Sequence, residues 1–291
     1  MTAQLAPIIA PVLICAGIGY AWARIGRTFD TQLIGSLVIM LGAPCLVFTT
    51  VTKMDVKLDD FGIMSLSALC VFVVIAVLAA PLLKTAGLSI RGFLPVLSLN
   101  NTGNMGLPLC LFAFGETGLA YGMAYFIVST LLMFTFGISV SAGSFSIREV
   151  LKIPIPYAIV AAFAFTFTGT KVPLWLGNTT GLIGGITIPL MLITLGISLA
   201  RLRVSGLVRA LILSVLRMAA AFGIAVLLAD FLGLDKTARG VLILQSSMPA
   251  AVVTYVLAER YKTEPEEVAG IVVVSTTLMI FILPALLWFV L

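Results

Sequence analysis

The feature that most constrains this chain is a series of apolar runs, each about as long as a bilayer is thick. A helix needs about 20 mostly apolar residues to cross the hydrocarbon core, and only short polar loops separate the runs. The pattern predicts an all-α integral membrane protein with ten transmembrane helices and no soluble domain. The runs are 5–23, 31–51, 61–83, 92–115, 118–141, 153–170, 181–200, 207–230, 238–258 and 268–290.

Composition excludes the common soluble classes. Of the 291 residues, 61% are hydrophobic and 10% are charged, whereas soluble domains carry roughly 25% charged residues. The net charge of +5 is expected to orient loops in the membrane rather than to bind nucleic acid. No Lys or Arg precedes Arg24, so the first run is interpreted as a retained span and not as a signal peptide.

Metal and cofactor chemistry is not expected. The chain has no His and no CxxC spacing. All its cysteines lie inside apolar runs, so they are expected to pack as small buried hydrophobic residues. The four cysteines are Cys15, Cys45, Cys70 and Cys110.

The distribution of Lys and Arg predicts the orientation. With the N-terminus outside, the inner loops carry eleven basic residues and the outer loops carry five. We therefore expect both termini outside, in a bacterial inner membrane. The inner set is Arg24, Arg27, Lys84, Arg91, Arg148, Lys152, Arg201, Arg203, Arg209, Arg260 and Lys262; the outer set is Lys53, Lys57, Lys171, Lys236 and Arg239.

The two halves of the chain repeat one another. "LIG" recurs at an offset of 149 (33–35 and 182–184), "RG" at 148 (91–92 and 239–240), and "STLLMF" at 129–134 returns as "STTLMI" at 275–280. Each half holds five spans, and because five is odd, the second half must start from the opposite side of the membrane. The sequence thus predicts an inverted repeat of 1–148 and 149–291, as in many secondary transporters.

Span four has an unusual polar centre. It contains "LSLNNTGNMGLPLCL" at 97–111, and three of the four asparagines in the chain fall within positions 100–104. Its counterpart is span nine, with "LQSSMPAAVVTYVL" at 244–257; Asn101 plus 148 is Pro249. Paired interrupted spans indicate the binding site of a transporter, and we predict that these two helices are discontinuous and cross at mid-membrane. The predicted crossover residues are Gly103, Gly106, Pro108 and Pro249.

The chemistry of this region suits an anion such as a carboxylate. Both prolines fit the first turn of a resumed helix, so the second half-helices should begin near 104–108 and 248–250. The free N–H groups at their N-termini favour a negatively charged ligand. Side-chain amides can donate and accept hydrogen bonds without carrying a fixed charge. The predicted polar substrate-binding residues are Asn100, Asn101, Thr102, Asn104, Gln245, Ser246 and Ser247. A packed proline kink is the alternative, but it does not explain three clustered amides.

Arg217 lies inside span eight, where a charge is expensive and needs a partner or water. Two roles remain open from the sequence. The guanidinium could attract the anion through the cavity, or it could snorkel to the inner surface, about two turns away at Arg209.

Four stretches resemble the auxin efflux carrier family, which includes plant auxin exporters and bacterial permeases for small carboxylates such as malonate. They are "NNTGNMGLPL" at 100–109, "RGVLILQSSMPAAVVTYVLAERY" at 239–261, "APCLVF" at 43–48 and "LRMAAAF" at 216–222, in which Arg217 matches a basic residue of the family pattern. The chain lacks the long loop of plant members between spans five and six, so neither plant-type regulation nor auxin follows from the resemblance.

The resemblance implies a ten-helix fold akin to bile-acid and sodium/proton transporters. A scaffold domain (spans 1, 2, 6 and 7) would dimerise through spans 2 and 7, and a transport domain (spans 3–5 and 8–10) would move as an elevator. Asn100 and Asn101 would hold a carboxylate, and Pro44 and Thr49 would line its path.

The function expected is therefore transport of a small mono- or dicarboxylate across the bilayer, by uniport. Intramembrane proteases of the metallo or serine type need His, and no acidic residue sits mid-span for a proton relay. Ion-coupled symport and a channel or receptor remain the alternatives.

Overall fold

The computed structural model describes residues 2–145 and 151–291, with side chains from residue 5 onward. In this part of the chain all regular structure is helical apart from one isolated β-bridge. The helices are α1 (Thr2–Arg24), α2 (Thr31–Lys53), α3 (Leu58–Thr85), α4 (Ile90–Ser98), α5 (Thr102–Ala142), α6 (Ile155–Thr168), α7 (Leu174–Arg201), α8 (Leu207–Phe231), α9 (Lys236–Ser247), α10 (Val252–Tyr261) and α11 (Pro265–Val290).

Seven of the described helices are long and apolar enough to cross a membrane: α1, α2, α3, α5, α7, α8 and α11. This confirms the prediction of an all-helical, multi-pass membrane protein. Helix α6 is apolar but has 14 residues. Helices α4, α9 and α10 are shorter still, with 9, 12 and 10 residues, and they flank the two interruptions described below.

Local sequence explains several helix starts. Asp30 precedes α2, and its carboxylate accepts hydrogen bonds from the N–H groups of Gln32 and Leu33, both at 2.9 Å. Asp235 plays the same part before α9. Such caps satisfy N–H groups that have no partner within the helix. Aspartate caps therefore mark the N-terminal ends of α2 and α9.

Helix α5 is bent sharply at Gly115. Its 41 residues would extend for about 60 Å as a straight helix, twice the thickness of the hydrocarbon core. Gly115 has φ 66° and ψ −156°, a conformation that glycine adopts because it has no Cβ. The chain therefore reverses there, between a first segment at 102–114 and a second at 116–142, close to the predicted gap between spans four and five.

Helices α1 and α7 pack along each other at very short range. A Cβ at Gly19 would overlap the backbone oxygen of Ile193, and a Cβ at Gly196 would overlap that of Ala16. Small residues at helix interfaces let backbones approach closely. Helix α7 also packs against α2, which in turn packs against α6. The other helices pack mainly around α5 and α11.

Several loops rich in basic residues lie at one end of the bundle. Basic side chains at the adjoining helix ends form bonds to neighbouring segments, and the loop after α3 and the one after α7 line the same apolar groove. The predicted inner loops are thus neighbours in space. The bonds run from Arg91 to the carbonyl oxygens of Ser141 and Ala142, from Arg201 to that of Phe29, and from Arg209 to the carboxylate of Glu267.

Two expectations fall outside the described residues. Arg148, one of the predicted inner basic residues, lies in the gap at 146–150. The predicted boundary between the repeat halves, at 148 and 149, lies there too.

Candidate functional site

Both predicted interruptions are present. Helix α4 ends at Ser98, and the chain resumes as a π-helical turn, Thr102–Gly106, at the start of α5. Helix α9 ends at Ser247 and α10 begins at Val252. The predicted spans four and nine are therefore each divided into two helices by a short non-helical link.

The two broken stretches bind each other through their backbones. The N–H of Asn101 donates to the oxygen of Pro249 at 2.7 Å, and the N–H of Ala251 donates to the oxygen of Leu99 at 3.0 Å. Asn100 and Ala250 form an antiparallel bridge between these bonds. Backbone groups that leave a helix inside a membrane need such partners. Each interruption therefore supplies hydrogen bonds that the other one lacks.

The two prolines differ in position. Pro108 is the second residue of the segment Leu107–Leu132, but it lies in the second turn of α5, which begins at Thr102, two residues before the predicted start at 104–108. Pro249 does not begin α10; it lies in the extended link before Ala251, the N-cap. The predicted start of this half-helix at 248–250 is therefore wrong by a few residues, because the chain stays extended to complete the bridge.

Glycine allows the two broken helices to meet closely. A Cβ at Gly106 would overlap the side-chain amide of Gln245, which is fully buried. The Nε2 of Gln245 lies 3.4 Å from the oxygen of Gly122, and its Oε1 has no hydrogen-bond partner. Gly106 thus makes the space in which the Gln245 amide lies.

Arg217 links the two broken helices. It is 4% exposed, which excludes snorkelling; attraction of an anion stays a prediction. Its Nε donates to the oxygen of Leu97 at 3.0 Å, its Nη1 donates to that of Met248 at 2.9 Å, and its Nη2 donates to Oδ1 of Asn100. Leu97 and Met248 lie at the C-terminal ends of α4 and α9, where free carbonyls carry the negative end of the helix dipole.

The side chain of Asn100 is committed to the protein itself. Its Nδ2 donates to the oxygens of Gln245 and Ser246, at 3.1 Å and 2.8 Å, and its Oδ1 accepts from Arg217. Both donor hydrogens and one acceptor site of the amide are therefore used. Asn100 therefore connects the end of α9 to the link between α4 and α5, to which it belongs.

Asn101 is different. Its side chain is 4% exposed, and its Nδ2 has no hydrogen-bond partner. Asn101 is also the N-cap of the π-helical turn but makes no side-chain cap bond. The first N–H groups of a helix have no partner inside it. The start of α5 thus combines an unpartnered amide donor with the positive end of a helix dipole.

Comparison with known proteins agrees with this architecture. The sequence pattern of the family described as membrane transport protein matches residues 138–288. An uncharacterized transporter of Methanocaldococcus jannaschii is 25% identical over 304 residues, covering 98% of each chain. An uncharacterized transporter of Methanothermobacter thermautotrophicus is 26% identical over 296 residues, covering 96% of each.

The chain belongs to the membrane transport protein family. This is the auxin efflux carrier family that the motifs of the interrupted spans resemble. The protein is thus a membrane transporter and not an enzyme. The two relatives are archaeal, and the bacterial inner membrane stays a prediction.

The other predicted polar residues of the site lie close to the bridge along the chain. The hydroxyl of Ser246 lies 3.2 Å from that of Tyr125, and Ser247 donates to the oxygen of Ile243 at 2.7 Å. Thr102 is buried, and Asn104 is half-buried. Gln245, Ser246 and Ser247 are thus parts of the α9 packing rather than free donors.

Helix α7 packs beside the start of α5, and α2 packs on α7. Pro44 is buried and follows a π-helical turn in α2, Val38–Gly42. The hydroxyl oxygen of Thr49 is buried without a partner. On α7, Met191 would lie 3.4 Å from a Cβ at Gly103. Helix α7 is therefore a common neighbour of the start of α5 and of α2, which carries Pro44 and Thr49.

Three residues of this region were not predicted. Tyr125 contacts Ser246, and the hydroxyl of Ser275 accepts from the N–H of Ala250 at 3.1 Å. Thr187, 1% exposed, has an unpartnered hydroxyl beside Gly42. Ser275 opens the repeated "STTLMI" stretch, so the repeat could have indicated it. For Thr187 the sequence holds no signal, because span threonines commonly bond to their own helix.

Proposed function

We propose that this protein is a secondary transporter of a small organic anion, a mono- or dicarboxylate. The observation that carries the proposal is the Nδ2 of Asn101, a buried donor without a partner at an uncapped helix start. Leaving a buried polar group unsatisfied costs about 1–3 kcal/mol. A carboxylate that accepts from this amide and from the first N–H groups of α5 removes that cost when it binds.

In this proposal Asn100 and Arg217 fix the position of the two broken helices relative to each other, and Asn101 contacts the substrate. Support comes from their hydrogen bonds: Asn100 donates to two backbone oxygens of α9, and Arg217 donates to backbone oxygens at the ends of α4 and α9 and to the amide oxygen of Asn100. Thr102 and Asn104 stand on the first turn of α5, next to Asn101. The substrate would reach Asn101 along α2, past Pro44 and Thr49.

Alternating access would follow from an inverted repeat of ten spans. In that repeat, α4 and the first segment of α5 together form span four, and α9 and α10 together form span nine. Support comes from the bridge, in which Asn101 and Pro249 pair at the repeat offset of 148. The close packing among α1, α2, α6 and α7 suits a scaffold, against which the remaining helices would move as an elevator.

Transport in this proposal needs neither a sodium nor a proton gradient. The chain has no His, and proton relays in membranes rely on Asp, Glu or His. Asp230 is bound to Arg239 at the end of α8, and Asp235 caps α9. The driving forces are then the gradient of the anion and the membrane potential.

The test is substrate binding by purified protein, starting with a thermal-shift screen of mono- and dicarboxylates. With a ligand in hand, Asn101→Ala should weaken its affinity roughly ten- to a hundredfold, because a hydrogen bond to a charged group contributes about 1.5–3 kcal/mol. Asn101→Asp keeps the shape and should abolish binding by repulsion. The control is Asn178→Ala, an exposed position on α7. Wild-type affinity in both Asn101 variants would contradict the proposal.

A further inference from the structure

Arg217 is surrounded by three oxygens from the two broken stretches. They are the carbonyl oxygen of Leu97 at the end of α4, that of Met248 just after α9, and the amide oxygen of Asn100 in the first link. All three are neutral, and no acidic side chain among the described residues forms an ion pair with Arg217. The cation is therefore balanced by dipoles and not by a carboxylate.

The charges of this arrangement nearly cancel. The C-terminal end of a helix carries the equivalent of about half a negative elementary charge, and two such ends, those of α4 and α9, meet at Arg217. Their sum is about one negative charge, which one guanidinium balances. A buried cation without such partners would be strongly destabilising. The two broken helices thus need one positive charge at this point, whatever molecule supplies it.

We propose that Arg217 is a built-in cation that takes the place of a free monovalent cation at the crossover, so that removing its side chain leaves a binding site for guanidinium or sodium. The oxygens around it are the type that free cations use in transporters with discontinuous helices, where unwound carbonyls and half-helix C-terminal ends coordinate sodium. Here the covalently attached guanidinium holds those oxygens permanently.

This inference does not depend on which molecule the protein transports, because it concerns the folded state without substrate. It also gives a structural reason for transport without sodium, since the carbonyl oxygens freed by both helix breaks already bind a cation. If the proposed carboxylate site at Asn101 fails its own test, the cation test below is unaffected.

The experiment is chemical rescue of Arg217→Ala in purified, substrate-free protein. The midpoint of thermal unfolding would be measured in millimolar guanidinium, sodium or tetramethylammonium chloride at equal ionic strength. We expect the variant to unfold at a lower temperature than wild type, and guanidinium or sodium to raise its midpoint in a saturable way. Tetramethylammonium has no N–H group to donate to these oxygens and should not. Wild type and Arg239→Ala, whose arginine is partly exposed, should show no such difference between salts.

A second pair of variants covers the case in which Arg217→Ala does not fold. Lys and Met have similar lengths, but only Lys supplies a charge. Arg217→Lys should therefore be clearly more stable than Arg217→Met, and its midpoint should not depend on which cation is present. Equal stability of these two variants, or an Arg217→Ala midpoint that is indifferent to all three cations, would overturn the proposal.

Discussion

The N–H of Asn101 donates a hydrogen bond to the carbonyl oxygen of Pro249 at 2.7 Å, although the two residues are 148 positions apart in the sequence. That separation equals the offset at which "RG" repeats along the chain. Residues that would correspond under the predicted repeat therefore meet at the point where both helices are broken. Each half supplies one strand of the bridge, which explains why the polar, glycine and proline residues cluster at these two places in an otherwise apolar sequence.

Asn100 and Asn101 are neighbours, but their substitution should affect different properties. Asn100→Leu removes three hydrogen bonds, including one to a charged group, which is a class that contributes about 1.5–3 kcal/mol each. We expect a clear loss of thermal stability in the absence of substrate. Asn101→Ala removes an amide nitrogen that has no partner, so its unfolding temperature should stay near that of wild type. An Asn101→Ala protein that is less stable than Asn100→Leu would reverse this assignment.

Gly106→Ala should disturb the packing of α9 against α5. The added Cβ would overlap the buried amide of Gln245, and overpacking of this kind costs about 1–3 kcal/mol. Gln245→Ala removes the obstacle, so the double variant should be more stable than the sum of the two single changes predicts. A double-mutant cycle on the unfolding free energy measures this coupling. Simple additivity would show that Gln245 does not limit position 106.

Gly196→Ala should weaken the packing of α1 on α7. The new Cβ would overlap the backbone oxygen of Ala16, and because backbone cannot move aside as a side chain does, the two helices must separate. We expect a loss of at least about 1–3 kcal/mol, measured by unfolding in detergent. The matched control is Gly185→Ala on the same helix, where no atom lies within 4 Å of the added Cβ. Since alanine favours helix more than glycine does, this control should be neutral or slightly stabilising.

The loops at 84–91 and 201–209 should face the cytoplasm. Single cysteines placed there, in a background without the four native cysteines, should resist membrane-impermeant thiol reagents in whole cells and react after the membrane is opened. A cysteine in the loop before α3, at 54–57, should react in intact cells. Ready labelling of both former loops in intact cells would show that the Lys and Arg bias was misinterpreted and that the proposed orientation is inverted.

Accumulation of the substrate against its own gradient should depend on the membrane potential and not on a sodium or proton gradient. Moving one charge through 100 mV corresponds to about 2.3 kcal/mol, so an inside-negative potential favours export of an anion. Proteoliposomes with a potassium-diffusion potential allow pH and sodium to be varied separately. We expect no accumulation when the potential is held at zero and only a sodium or proton gradient is present. Accumulation under those conditions would establish ion coupling instead of uniport.

The sequence by itself determined the helices and their interruptions. Apolar runs of membrane length predict helices because a bilayer leaves backbone groups no other partner, and the Gly, Pro and Asn clusters around positions 100–108 and 246–250 mark the breaks because these residues weaken helices locally. These features depend on neighbours in the chain, which the sequence displays directly.

Only the tertiary structure decided which polar residues are committed to the protein and which remain free. Arg217 bonds to residues 117 and 120 positions away, and nothing near it in the sequence indicates those partners. The same contacts separate Asn100, whose amide is used, from Asn101, whose Nδ2 is not. Likewise, Pro249 stays outside its half-helix because the bridge to Asn101 holds it extended. Hydrogen-bond partners across a fold depend on how helices pack, and packing is set by the three-dimensional arrangement of all their surfaces together.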